Sequence, residues 1–257
     1  MRKVLSLVRR CVEDYDMIKP NDRIAVGVSG GKDSLVLLAA LAQLRDFYPV
    51  PFTVEAITLD MGAANGREGM DFTAVAEYCK ELNVPFTLLE SEIHHIIFDL
   101  RKEKNPCSMC AKMRRGALHN ALVERGIHKI ALGHHYDDAV ETFLLSLVYE
   151  GRLSCFQPVT WLDRTEISQI RPLLYCSEAL VRNTAKRLNL PVVHNPCPAD
   201  GNTRRQEMKE LLYELNGRYP GLKGRIFGAM QRLPLPEWGP VNPLGRPIQW
   251  EESDNDE

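Results

Sequence analysis

The sequence comprises 257 residues, 44% of them hydrophobic and 26% charged, with a formal net charge of −2. That length buries a real core in one large domain, alone or with a small appendage, and the composition is that of a globular chain, not a fibrous or disordered one. No apolar run approaches the ~18 residues of a membrane span. Five of the last seven residues are acids, so the first 250 carry +3, a mildly basic body suited to a polyanionic partner.

From the N-terminus, Met1–Arg10 has basic residues around an apolar core too short for a signal peptide, and residues 1–20 read as an amphipathic helical segment. Cytoplasmic localisation follows as an expectation. The run Arg23-Ile24-Ala25-Val26-Gly27-Val28 predicts a buried strand and Leu35–Leu44 a buried helix. Between them stands Ser29-Gly30-Gly31-Lys32-Asp33-Ser34. Two successive glycines let backbone N–H groups converge at a helix N-terminus, whose dipole favours an anion, phosphate or pyrophosphate. The hydroxyls of Ser29 and Ser34, the Lys32 cation and Asp33 as a magnesium contact strengthen that expectation over an ordinary strand-to-helix turn. The spacing is neither a Walker loop nor G-x-G-x-x-G.

Strands are then expected at Val54–Asp60, Pro85–Leu89, Lys129–Gly133 and Ile167–Leu174, alternating with helices at Phe72–Leu82, Ser108–Arg125 and Asp138–Tyr149. Repeated strand and helix means an α/β fold, a parallel twisted sheet with helices on both faces and ligands at the carboxyl ends of the strands. The glycine turn, Leu59-Asp60 and Gly133-His134 fall at such ends. Two further helices, Thr203–Leu215 and Leu222–Gln231, precede a proline-rich, acidic tail. The expected organisation is therefore a helix over 1–20, a nucleotide domain over 21–200, C-terminal helices over 201–232 and a tail over 233–257.

Seven cysteines without a signal peptide point to reduced thiols. Cys11, Cys79, Cys155 and Cys176 read as core or incidental. Cys107 and Cys110 differ, because their C-x-x-C spacing opens a helix beside Lys112, Arg114 and Arg115, which favour thiolates. A redox dithiol is the competing reading. Cys197, flanked by Pro196 and Pro198, is a third candidate, and three thiolates suit an iron–sulfur cluster with one open iron better than a closed structural zinc site. Basic clusters at Arg2, Lys3, Arg9 and Arg10, at Lys112, Arg114 and Arg115, and at Arg204 and Arg205 are candidates to track a phosphate backbone or, equally, solvated faces.

The turn at 29–34 resembles the S-G-G-x-D-S signature of the PP-loop ATP pyrophosphatases. Together with C-S-M-C at 107–110 running into Lys112-Met113-Arg114-Arg115-Gly116, the stretch 130–138, Ile170-Arg171-Pro172-Leu173, and Cys197 followed by Arg204-Arg205-Gln206, it resembles the tRNA 2-thiocytidine synthetases over most of residues 1–232. The resemblance implies ATP-dependent replacement of the 2-keto oxygen of an anticodon-loop cytidine by sulfur. It implies that Ser29, Gly30, Gly31, Lys32, Asp33 and Ser34 bind pyrophosphate, with Leu59, Asp60, Gly133 and His134 also at the nucleotide. It implies a [4Fe-4S] cluster on Cys107, Cys110 and Cys197, a catalytic Arg114, and Asp137 or Asp138 as a catalytic or magnesium-binding acid. The implied cofactors are the cluster, ATP and Mg2+. The implied partners are tRNA and a sulfur donor, a cysteine desulfurase or free sulfide, with no membrane and a homodimer left open. The sequence departs from the family at Met61-Gly62 and at Pro198-Ala199-Asp200. Two other readings stay open: the same chemistry on another base or a small molecule, and a nucleotide-binding iron–sulfur sensor without turnover.

Overall fold

The computed structural model describes residues 1–63, 69–102, 106–193 and 204–232, excluding the side chain of Cys107. Six strands form one sheet: β1 (Asp22–Gly27), β2 (Phe52–Leu59), β3 (Phe86–Leu89), β4 (Lys129–Ala131), β5 (Val159–Leu162) and β6 (Ile167–Ile170), in the order β3-β2-β1-β4-β6-β5. All pairings are parallel except the edge pair β5–β6. The strand order reverses between β1 and β4, so the loops leaving these two strands diverge and open a crevice at their carboxyl ends.

Alternation along each strand divides the core between the two faces. Ile24 and Val26 of β1 and Ala56 of β2 pack with α2 (Lys32–Leu44), α3 (Thr73–Glu81) and α6 (Glu178–Arg187). Ala25, Ile57 and Ile130 point the other way, onto Leu122 of α4 (Pro106–Glu124). From Ser34 to Leu44 every residue of α2 but Gln43 is buried, because α1 (Arg2–Asp14) and α6 cover its outer side. The apolar stripe of α1, Val4, Val8, Cys11 and Val12, joins that core. Along the other flank α5 (Tyr136–Glu150) packs Val140 and Leu144 against Met208 and Leu212 of α7 (Arg204–Arg218), with α8 (Leu222–Arg232) beside them.

Three departures from the sequence expectation have local causes. The last strand ends at Ile170, because Pro172 has no N–H for the ladder and opens a 3-10 turn, Pro172–Tyr175. The sequence reading omits β5, a four-residue antiparallel edge strand behind Pro158, and α6, whose N-cap Ser177 accepts from the Leu180 amide at 3.3 Å. A π-helical stretch, His95–Leu100, also goes unassigned between β3 and α4. No helix among the described residues is long and apolar enough to cross a membrane.

Candidate active site

At the end of β1 the chain turns through Gly30, whose φ of +80° and whose missing Cβ, which would lie 3.0 Å from the Val193 Cβ, both require glycine. Gly31 caps α2 in an extended conformation. The Ser34 hydroxyl donates to the Gly31 carbonyl at 2.9 Å and accepts from the Ser29 amide at 3.2 Å, so the two serines close the turn on itself. Lys32 Nζ lies 3.1 Å from Asp33 Oδ2 and 3.6 Å from Glu178 Oε1 at the start of α6. The other Asp33 oxygen, Oδ1, is buried without a hydrogen-bond partner, with His135 Nε2 at 3.8 Å. Behind the turn, a Cβ on Gly133 would sit 3.0 Å from the Ser34 amide nitrogen. Only glycine lets the loop after β4 come that close to the α2 N-terminus.

A cavity of about 440 Å³ opens in front of this turn. Ser29 and Gly31 line one wall, Leu59, Met61 and His94 another, and Pro106, Cys110 and Arg114 of α4 a third. Val193 closes it, anchored by its amide to the Gly30 carbonyl at 2.9 Å. The crossover thus brings the first turn of α4 to the glycine turn across the sheet end. His94 is 6% exposed, and burial lowers its pKa, so the imidazole stays neutral at neutral pH. The other described cysteines are set apart: Cys11, Cys79 and Cys176 are buried, burial raises their pKa values to about 12, 11 and 12, and Cys155 follows at about 11. Such thiols stay protonated and inert.

The remaining predicted residues stand off the cavity wall. Asp60 Oδ1 accepts from the Gly62 amide at 3.0 Å. His134 stacks 4.9 Å from Phe156, and burial, with the Arg171 charge adding to it, pushes it down to about 4. Asp138 and His135 cap α5 reciprocally, the Asp138 carboxylate accepting from the His135 amide at 2.9 Å and His135 Nδ1 from the Asp138 amide at 3.3 Å. That bond leaves the neutral His135 proton on Nε2, toward Asp33. The other Asp138 oxygen accepts from Arg205 at 3.2 Å. Asp137 is buried; one oxygen accepts from the Glu178 amide at 2.7 Å and the other from Lys223 Nζ at 2.8 Å. Burial alone would raise its pKa, but those two donors more than reverse that and hold it below the ordinary carboxylate value. Cys197, and the Cys107 side chain, lie outside the described residues.

Residues 2–215 match the family model of the PP-loop domain. A tRNA-cytidine(32) 2-sulfurtransferase from Anaeromyxobacter dehalogenans is 39% identical over 89% of this chain and 78% of its own, and one from Nitrosomonas eutropha is 36% identical over 91% and 74%. The chain belongs to the PP-loop tRNA-cytidine 2-sulfurtransferase family. Among solved structures, the U34-tRNA thiolase NcsA from Methanococcus maripaludis, with its [4Fe-4S] cluster, matches with a TM-score of 0.73 and 25% identity over 90% of this chain and 77% of that one.

Within this family site, three residues escape the sequence reading. His94 reaches the cavity just ahead of the π-helical stretch, which periodicity does not reveal. Val193 belongs to no element. Glu178, the acid facing Lys32, heads α6, a helix the apolar pattern does not disclose; the Ser177-Glu178 pair is the signal that could have found it.

Proposed function

We propose that the protein is an ATP-dependent tRNA thiolase that adenylates the 2-keto oxygen of an anticodon-loop cytidine and replaces it with sulfur at a [4Fe-4S] cluster. One observation carries the reading: the glycine turn and Cys110 line the same cavity. A phosphate site and a soft sulfur ligand sharing one chamber suit a reaction that uses ATP to activate a base and then delivers sulfur to it. The curated relatives act, by name, on tRNA cytidine 32, and NcsA on tRNA with its cluster.

The pyrimidine oxygen attacks the α-phosphate, and pyrophosphate leaves toward the amides and hydroxyls of residues 29–34. The buried, unpartnered Asp33 Oδ1 fits a carboxylate oxygen awaiting Mg2+. Sulfide then adds at C2, and AMP departs with the original oxygen. The donor set fits a cluster in kind, since thiolates are soft ligands for iron and Cys110 lines the cavity, as does Pro106 beside Cys107. When bound by Cys107, Cys110 and Cys197, the cluster supplies an iron with an exchangeable position for sulfide. Arg114, on the same wall, offers a guanidinium to the negative charge that develops on the leaving oxygen. The sulfur comes from a cysteine desulfurase or free sulfide, and the setting is the cytoplasm.

Nucleoside mass spectrometry of tRNA from a deletion strain tests the reading. Loss of 2-thiocytidine, restored by the wild-type chain, is expected; an unchanged thionucleoside profile would overturn it. Products of AMP and pyrophosphate are expected in vitro, and ADP with orthophosphate would remove the adenylation step.

A further inference from the structure

Of the basic residues named from sequence, Arg9, Arg10, Arg204 and Arg205 are engaged within the chain, while Arg2 and Lys3 are exposed at the start of α1. Arg9 and Arg10 pair with Glu13 and Asp14 one turn on, while Arg205 bonds Asp138 and Thr142 and Arg204 lies 4.7 Å over the Tyr149 ring. Lys112, Arg114 and Arg115 are exposed on α4, and none has an acid within 4 Å among the described residues. Lys112, Arg115 and Gly116 are neighbours at helical spacing.

Gly116 sits at the eleventh of the nineteen positions of α4, well inside the helix. Glycine is the poorest helix former after proline. A Cβ added at Gly116 meets nothing within 4 Å among the described residues, so no close packing there requires its absence. A residue that weakens its own helix, with open space before it and cations beside it, leaves room for something outside the fold.

We propose that this face of α4, Lys112, Arg115 and Gly116, seats the phosphodiester backbone of the tRNA, which runs over Gly116 so closely that a Cβ there would push it away. This rests on the thiolase reading above and places the docking surface on the helix whose first turn carries Cys110 and whose Arg114 faces the cavity. A backbone held there keeps the splayed anticodon-loop nucleotide within reach of the chamber, as single-stranded bases must be presented to be read or modified.

The test measures binding of an unmodified tRNA transcript by the full chain, prepared without oxygen, across a salt series. Lys112→Ala and Arg115→Ala should each reduce the slope of log affinity against log salt by about 1. Gly116→Ala should raise Tm by about 2–4 °C through helix propensity while weakening tRNA binding about tenfold, the worth of one charge-assisted hydrogen bond to phosphate. Opposite signs in the two readouts are the signature. Unchanged affinity in Gly116→Ala overturns the proposal, and a lowered Tm overturns it too by revealing a reason within the fold. Failure of the wild-type chain to bind tRNA at all would instead bring down the thiolase reading.

Discussion

At the glycine turn, Asp33 keeps one buried oxygen without a hydrogen-bond partner; at the first turn of α5, Asp137 has both oxygens taken by the Glu178 amide and Lys223. The two acids lie at the ends of adjacent strands and look alike in sequence. Yet the region around Asp33 opens onto a cavity, whereas the region around Asp137 and Asp138 ties four helices together through Glu178, Lys209, Arg205 and Lys223. A buried carboxylate oxygen left unsatisfied beside a cavity is open to a ligand there, whereas one with its partners in place is already committed within the fold. If the first region serves chemistry and the second cohesion, substitutions should separate them.

The largest effect belongs to the cavity. Cys110→Ala should abolish thiolation, the product falling below detection in nucleoside mass spectrometry, because the thiol lines the cavity shared with the glycine turn. Cys155→Ala is the contrast: its thiol donates to the Ala139 carbonyl at 3.4 Å and stays protonated, so activity should persist with only a small packing cost. Equal losses from both substitutions would erase the distinction between a ligand cysteine and a packed one.

The network should answer in stability instead. Asp137→Ala strands the Glu178 amide and the Lys223 ammonium together, a loss of about 3 kcal/mol by analogy with other broken buried pairs. Since Lys223 is partly exposed, the lower end of that range applies, and Tm should fall by roughly 6–12 °C. A drop below about 1 kcal/mol in denaturant unfolding would show that Asp137 does not hold these helices and would return it to consideration as a catalytic acid.

What sequence discloses about each region follows from the range of the interactions. The glycine turn is legible because strand, turn and helix N-terminus lie within a dozen consecutive residues, and the cysteine pair because its C-x-x-C spacing is itself a local pattern. The chamber they share is not legible: it exists because the strand order reverses between β1 and β4 and because Val193 returns to bond Gly30. The paired acids at 137 and 138 are visible as residues but not as partners, since Lys223 and Arg205 come from far along the chain. Apolar character overruns the strand end where it outlasts the ladder, as at Leu173 and Leu174, which are buried in a 3-10 turn. Helix α6 is hard to see because its buried stripe contains Thr184 and Ala185, a weak apolar signal.

The smallest expected effect tests the network through pH. Glu141 lies one turn beyond Asp137 on α5, buried, and faces Asp138 and Asp137 from its own helix and Lys209 and Arg205 from α7. Burial, with the Asp138 charge adding to it, pushes its carboxyl from 4.5 up to about 7, the two cations only partly offsetting that. A folded-state value above the unfolded one means that the native chain holds this proton more tightly. Its contribution to stability is therefore complete below pH 4.5 and is lost as pH rises through about 7. Asp137, held below its ordinary value, has the opposite sign and contributes above the unfolded carboxylate pKa, so the two acids act in different pH windows. Glu141→Gln fixes the neutral form. At about pH 8 the variant should be more stable than the wild type by about 1–3 kcal/mol, and at about pH 5 the difference should shrink toward zero. Parallel stability curves across that range would mean that Glu141 titrates as an ordinary surface carboxyl and that the network on this flank is more open to water than its packing indicates.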